Sequence, residues 1–225
     1  MHIPVIFEDN NILVIDKPSG IVVHPFDFSD EETVADFLHE HSPSMFSIKN
    51  EITLQDGRTI PLGGIVHKLD RDTSGVLVVA KNQKTFDELR EQFTNQEIKK
   101  TYVALVEGMV EKDSFTIDAP LGRSKKDYKQ STNPENPRGA LREAVTEVTV
   151  LKRHTDMTHV ELKPLTGRTH QLRAHMSSIG HPIVGDIAYG AMSKDSRIML
   201  HAQSLTCNVN GEQKTFASPI PNEFA

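Results

Sequence analysis

Apolar residues are strung along this chain in short runs, separated by turns rich in Asp, Asn, Gly and Pro. Val5-Ile6-Phe7 and Ile12 to Asp16 flank Glu8-Asp9-Asn10-Asn11, a pattern that predicts two short strands joined by a turn. Lys17-Pro18-Ser19-Gly20 breaks the second strand, and Ile21 to Pro25 predicts a return to extended chain. From Thr33 to His41, the spacing of Val34, Phe37 and Leu38 puts apolar side chains on one side of a helix. A mixed loop from Ser42 to Gly64 follows, with a small hairpin expected around Gln55-Asp56-Gly57. The apolar run from Val76 to Ala80 predicts another strand, and Lys84 to Thr94 a helix striped by Phe86, Leu89 and Phe93.

Strands are predicted again at Tyr102 to Val106, Ser114 to Asp118, Ala144 to Lys152 and Val160 to Pro164. Between the middle two, Gly122 to Arg142 is polar and carries Pro134, Pro137 and Gly139, which predicts an exposed, mobile loop. Thr169 to Ser178 predicts a helix closed by Gly180-His181-Pro182, and Ile198 to Val209 the last strand or pair. No repeat is visible, and no linker rich in Pro, Gly or Ser divides the chain. The expectation is an α+β protein with much sheet, folded as a single domain over residues 1–225.

Composition narrows the setting. The 225 residues suffice for a substantial core. A formal net charge of −6 provides no overall attraction to nucleic acid, so any basic face must be local. Acids gather at Asp27, Asp30, Glu31, Glu32, Asp36 and Glu40. Bases gather at Lys99-Lys100, at Arg123, Lys125, Lys126 and Lys129, at Lys152-Arg153, and around Arg168 and Arg173. The single cysteine, Cys207, excludes an intrachain disulfide and any multi-cysteine zinc site. The N-terminus has no basic segment followed by an apolar core, and no apolar run is long enough to cross a bilayer. A cytoplasmic protein with no membrane association is expected.

Two segments carry the chemistry. His67-Lys68-Leu69-Asp70-Arg71-Asp72-Thr73-Ser74-Gly75 brackets an acid with cations, closes on small turn-forming residues and runs into the strand at Val76. That layout presents one carboxylate on a constrained loop at the lip of a sheet. Asp70 and Asp72 could instead act as a carboxylate pair of the glycosidase kind. A nucleophilic Ser74 would need a G-x-S-x-G elbow, which is absent, so Ser74 is read as a turn residue.

The second segment is Leu165-Thr166-Gly167-Arg168-Thr169-His170-Gln171-Leu172-Arg173-Ala174-His175-Met176. Thr169 is a candidate N-cap, which would place Gln171, Leu172 and Arg173 in the first turn of a helix whose free N–H groups favour an anion. Metal binding by His170, His175 and His181 is the competing reading. It is disfavoured because His170 and His175 are five residues apart and H-E-x-x-H is absent. No metal is expected.

The first segment resembles the H-R-L-D-x-x-T-S-G signature of the RluA-type family of RNA pseudouridine synthases, and the second its T-G-R-x-H-Q-L-R-x-H. Gly180-His181-Pro182-Ile183-Val184-Gly185-Asp186 with Tyr189-Gly190 resembles the family's G-H-P-I-x-G-D-x-x-Y-G, and Leu200-His201-Ala202 a further patch. Asp16-Lys17-Pro18-Ser19-Gly20 with Val23-His24-Pro25 resembles K-P-x-G-x-x-x-H-P, and Lys100 to Gly108 resembles K-x-Y-x-A-x-V-x-G. These matches run in order from Asp16 to Ala202, nearly the whole chain.

The resemblance implies a pseudouridine synthase fold: a mixed, mainly antiparallel sheet with flanking helices and a central catalytic cleft. It implies an isomerase that detaches the uracil of a uridine in ribosomal or transfer RNA, turns it and rejoins it through carbon 5, without a cofactor. Asp70 becomes the catalytic carboxylate, acting as nucleophile or as base toward the ribose. Arg173 becomes its ion-pair partner and Tyr102 the active-site aromatic. His67, Lys68, Arg71, Arg168 and His170 become candidates for holding RNA, because a target base must be drawn from its stack. Lys68 stands where the family usually has arginine and lacks the bidentate fork. With its first match at Asp16, the chain is read as a member without the S4-like N-terminal domain. It is expected to be a monomer with RNA as partner and no obligate protein partner. The alternative is a non-catalytic RNA-binding or RNA-folding factor on the same scaffold.

Overall fold

The computed structural model describes residues 1–24, 31–53, 57–123, 129–132, 140–193 and 197–224. These form two compact units, one from Met1–Ile98 with Ser204–Pro219, the other from Lys99–Gln203 with Ile220–Ala225. Asp27, Asp30, Lys125 and Lys126, Gln55 and Asp56 of the expected hairpin turn, and much of the polar stretch after Gly122 lie outside the described residues.

In the first unit, β1 (Val5–Glu8) pairs antiparallel with β2 (Ile12–Lys17). The turn between them is tied by Asp9, whose carboxylate accepts the N–H groups of Asn11 at 2.7 Å and Ile12 at 2.9 Å. Helix α1 (Val34–His41) starts at Thr33 in a capping box with Asp36: the Thr33 hydroxyl accepts from the Asp36 N–H, and the Asp36 carboxylate accepts from the Thr33 N–H. The expected strand from Ile21 does not form. Instead the carbonyls of Val22 and Val23 accept the N–H groups of Val34 and Ala35, both at 3.0 Å, which satisfies donors at the start of α1.

A single 3-10 turn at Pro43–Ser47 precedes the paired strands β3 (Glu51–Thr53) and β4 (Thr59–Pro61), the two arms of the expected hairpin. Strand β5 (Ser74–Ala80) is buried along its whole length and pairs antiparallel with β2, Lys17 lying opposite Gly75. Its continuous apolar run reflects cover on both faces. Helix α2 (Gln83–Thr94), capped by Asn82, lays Phe86 and Leu89 on Ile12, Val14, Val76, Val78 and Ala80.

In the second unit, β6 (Lys99–Glu107) is followed by β7 (Ser114–Asp118) and the two-residue strands β8 (Gly122–Arg123) and β9 (Gln130–Ser131). Then come β10 (Val145–Arg153), β11 (Met157–Pro164) and helix α3 (Gln171–Ser178). Strands β6, β11, β10 and β7 pair in that order, all antiparallel. Thr146 and Val148 of β10 point inward while Glu147 and Thr149 face solvent, the alternation of a sheet with one covered face. Leu172 and Met176 of α3 join Val148, Val160 and Leu162 in the core. Strands β8 and β9 pair with each other, and Leu121 bridges Arg142. The stretch predicted as open loop therefore carries paired backbone at both described ends.

Strand β12 (Leu200–Val209) begins in the second unit and ends in the first, where it forms a hairpin with β13 (Glu212–Ala217). Asn210 and Gly211 both have positive φ, 52° and 81°, as a type I′ turn requires. Cys207 lies in this hairpin, buried, with its thiol pushed up to about 11 by desolvation, which makes it chemically inert at neutral pH. The fold class is the expected one, α+β with a mainly antiparallel sheet and flanking helices.

Buried His175 of α3 completes a polar chain inside the second unit. Gln171 Nε2 donates to the Thr146 hydroxyl at 3.0 Å, that hydroxyl lies 2.9 Å from His175 Nδ1, and His175 Nε2 donates to the Ala119 carbonyl at 3.0 Å. A neutral imidazole protonated at Nε2 satisfies every link. Burial lowers its pKa below the ordinary 6.5. The unfolded chain therefore takes up a proton before the folded one does, and stability present above about pH 6.5 is lost as the pH falls from there toward the folded value. Half-buried His159 is shifted the same way, chiefly by burial. Thermal melts from neutral to mildly acid pH should show a steeper fall for wild type than for His175→Gln; parallel curves would contradict this.

Candidate active site

The segment bearing Asp70 is shaped by residues far from it in sequence. Asp70 opens a turn closed by the Thr73 N–H on the Asp70 carbonyl at 3.2 Å. Thr73 and Ser74 are buried, and Gly75 takes φ +114°, a conformation that an L side chain adopts only with strain. Leu69 is buried, Asp70 half-buried, and Lys68 and Arg71 exposed. Asp70 and Asp72 thus occupy a turn, not a strand, and strand alternation does not put their side chains on one face.

Lys17 holds this turn from behind. Its side chain is 0% exposed, and Nζ donates to the carbonyls of Pro18 at 2.8 Å, Ile21 at 2.7 Å and Arg71 at 2.9 Å. The Gly20 N–H shares the Arg71 carbonyl at 2.9 Å, and the Ser19 hydroxyl donates to the Asp72 carbonyl at 2.7 Å. Lys17-Pro18-Ser19-Gly20 is therefore the backstop of the Asp70 turn. Lys17→Met removes a charged donor from three carbonyls at once and should cost about 2–4 kcal/mol, after allowing for the charge no longer buried. Chemical denaturation checks the value, and wild-type stability in the variant would refute the role.

The neighbours of Asp70 are engaged in different ways. His67 Nε2 accepts the Val78 N–H at 3.0 Å while its ring stacks on Phe93 at 4.7 Å, so this ring helps secure β5. Arg71 makes an ion pair with Glu31 at 2.7 Å between two exposed side chains, an interaction weak enough for another anion to replace.

In the second unit, half-buried Tyr102 lies on β6 opposite Leu162. The helix expected from Thr169 starts at Gln171 instead, with His170 at the cap position in left-handed conformation, φ 52°. Thr169 is exposed and does not cap it. Gln171 turns back to the preceding segment: its Oε1 accepts from the Thr166 hydroxyl at 2.7 Å and the Arg168 N–H at 3.0 Å, and its Nε2 donates to the Val145 carbonyl at 2.9 Å. Arg168 Nε donates to the Glu143 carbonyl at 2.9 Å.

Arg173 is buried in α3 and makes a bidentate pair with Asp186, Nε to Oδ2 at 2.7 Å and Nη2 to Oδ1 at 2.9 Å. Asp186 is 0% exposed and also accepts the Tyr189 N–H. The Arg173 guanidinium carbon sits 4.8 Å from the centre of the Tyr189 ring. The Tyr189 hydroxyl accepts the Gln130 N–H at 2.9 Å and lies 3.0 Å from His170 Nδ1. Arg173, His170 and Tyr189 are thus one unit around Asp186. The sequence motifs assign neither Asp186 nor Tyr189 a role, although both stand in G-D-x-x-Y-G. Gly185 sets this corner: at φ +80°, any Cβ would collide with the Arg197 carbonyl.

The three histidines weighed as metal ligands are spent on protein atoms: His170 on Tyr189, His175 on Thr146 and Ala119, and His181 Nδ1 on the Glu107 carbonyl at 2.8 Å. Among the described residues no set of His, Cys, Asp and Glu gathers as a metal site. No described helix is long and apolar enough to cross a membrane.

The family model described as RNA pseudouridylate synthase matches residues 11–178. An uncharacterized RNA pseudouridine synthase of Bacillus subtilis is 37% identical over all of this chain, which spans 71% of that protein. The ribosomal large subunit pseudouridine synthase D of Nitrosomonas europaea is 36% identical over 98% of the chain, which spans 63% of that relative. Among solved structures, human RNA pseudouridylate synthase domain containing 1 superposes with a TM-score of 0.78 at 27% identity, covering 97% of this chain and 83% of that one. The ordered motifs, the fold and these likenesses agree: the chain belongs to the RNA pseudouridylate synthase family, isomerases that act on RNA.

Proposed function

We propose that this protein converts uridine to pseudouridine in ribosomal RNA, with Asp70 as the catalytic carboxylate. Support for Asp70 comes from its half-buried position on a turn that Lys17, Ser19 and Gly20 hold by hydrogen bonds to the Arg71 and Asp72 carbonyls. A carboxylate carried on a backbone so fixed needs less reorganisation to attack or to accept a proton. In this reading Tyr102 packs against the detached base, and Asp186 orients Arg173 for its part in the reaction. We read residues 1–225 as a single catalytic domain.

Arg168, His170, Lys68, His67 and Arg71 would line the RNA path. Exposed Lys68 and Arg71 suit phosphate, while His67 contributes by fixing the strand behind them. Ribosomal RNA is favoured over transfer RNA by the relatives named as large-subunit pseudouridine synthases. The protein would act as a monomer in the cytoplasm.

Mapping pseudouridines in ribosomal and transfer RNA from cells with and without the gene tests the substrate. Loss of a ribosomal site on deletion, restored by wild type and not by Asp70→Asn, is expected. Loss confined to transfer RNA would move the address, and an unchanged map would refute the reading.

A further inference from the structure

Among the described residues, Lys100 is a cation without a counter-charge. Lys99 beside it points to solvent, but Lys100 is half-buried. Burial alone lowers its pKa, and no hydrogen bond, ion pair or nearby acid of the described residues offsets that penalty. Its position is specific. Lys100 and Tyr102 are two apart on β6 and so share a face of the strand. The ammonium also reaches the Thr166-Gly167-Arg168 turn: a Cβ built on Gly167 would stand 3.5 Å from Nζ. Gly167 therefore leaves open the space beside the amine, and Arg168 follows directly.

Withdrawing an ammonium from water with no partner is unfavourable, and ordinary folding would place a carboxylate beside it or let it swing out. Holding it at the edge of this turn makes sense if an anion arrives from outside. Resting on the reading that RNA is the substrate, we propose that Lys100 is an RNA-binding residue that takes a phosphate oxygen of the substrate strand, beside the Thr166-Gly167-Arg168 turn. A phosphate contributes a full negative charge at this edge and releases counterions on binding.

Equilibrium binding of a ribosomal RNA fragment across a salt series, for wild type, Lys100→Met and Lys100→Arg, tests this. The slope of log affinity against log salt should become shallower by about 0.7–0.9 in Lys100→Met, the change expected for one phosphate fewer neutralised, and return to wild type in Lys100→Arg. Single-turnover conversion at saturating RNA should be little changed, because the phosphate is bound before chemistry. The melting temperature of Lys100→Met should match or exceed that of wild type, so misfolding cannot imitate the result. An unchanged salt slope would overturn the proposal. So would a fall in the single-turnover rate with the slope intact, which would assign the amine to the reacting base. Failure of the catalytic reading is separate: wild type would then bind RNA without converting it, and the salt slopes would still report on Lys100.

Discussion

Asp70→Asn should fold as wild type does and lose pseudouridine formation by at least about a thousandfold, the scale of a missing acid–base or nucleophilic group. Asparagine has nearly the same volume, and the turn itself is held by backbone, through the Asp70 carbonyl and Thr73 N–H. What the variant lacks is an anionic oxygen able to attack or to take a proton. Asp72→Asn is the matched control. Asp72 contributes its carbonyl to the turn, and that carbonyl, which accepts from Ser19, survives the change. Activity near wild type is therefore expected in Asp72→Asn. Equal damage in the two variants would revive the paired-carboxylate reading, and an active Asp70→Asn would remove Asp70 from the chemistry. Primer extension after carbodiimide treatment of the RNA, with a thermal melt of each variant, reads both outcomes.

Asp186→Ala should have the largest effect on stability, about 3–5 kcal/mol, because it removes one partner of a buried bidentate pair. At this chain length that corresponds to a fall of roughly 6–20 °C in melting temperature. The loss would spread to the corner around Tyr189, whose N–H also rests on Asp186 and whose ring lies under Arg173. The double variant Arg173→Met/Asp186→Leu separates structure from function. Replacing a buried ion pair by apolar residues is often neutral for stability, so much of the loss should be recovered. Activity should stay lost if Arg173 serves the reaction. A stable and active double variant would leave the pair a purely structural role. Asp186→Ala with wild-type stability would contradict the pairing itself.

Much of the fold was legible because its signals are local. The continuous apolar runs of β2 and β5, the alternation of β11, and the apolar stripes of α1 and α2 each act within a few residues. Asn210-Gly211 carries an equally local hairpin signal, just past the predicted strand end at Val209. The features that were not legible depend on distant partners. Lys17 reads as the residue before a strand-breaking Pro-Ser-Gly, and only the approach of the Arg71 carbonyl, 54 positions away, shows why the amine is buried. Arg173 and Asp186 are 13 residues apart on different elements, and no helical or strand period links them. The helix starts later than its sequence pattern suggests: His170 takes a left-handed conformation just before it, and Gln171 bonds back to Thr166 and Arg168. The motifs name residues, and the bonds that hold those residues come from partners distant in sequence.

Isomerisation of uridine in RNA is measured most directly by tritium release from RNA labelled at carbon 5 of uridine. Forming the new bond at carbon 5 expels the hydrogen held there, so wild-type protein with unmodified large-subunit ribosomal RNA should release tritium in step with pseudouridine formed. Asp70→Asn should release none above background. Folded wild-type protein that binds the RNA and releases no tritium would contradict an isomerase and describe a non-catalytic RNA-binding factor instead.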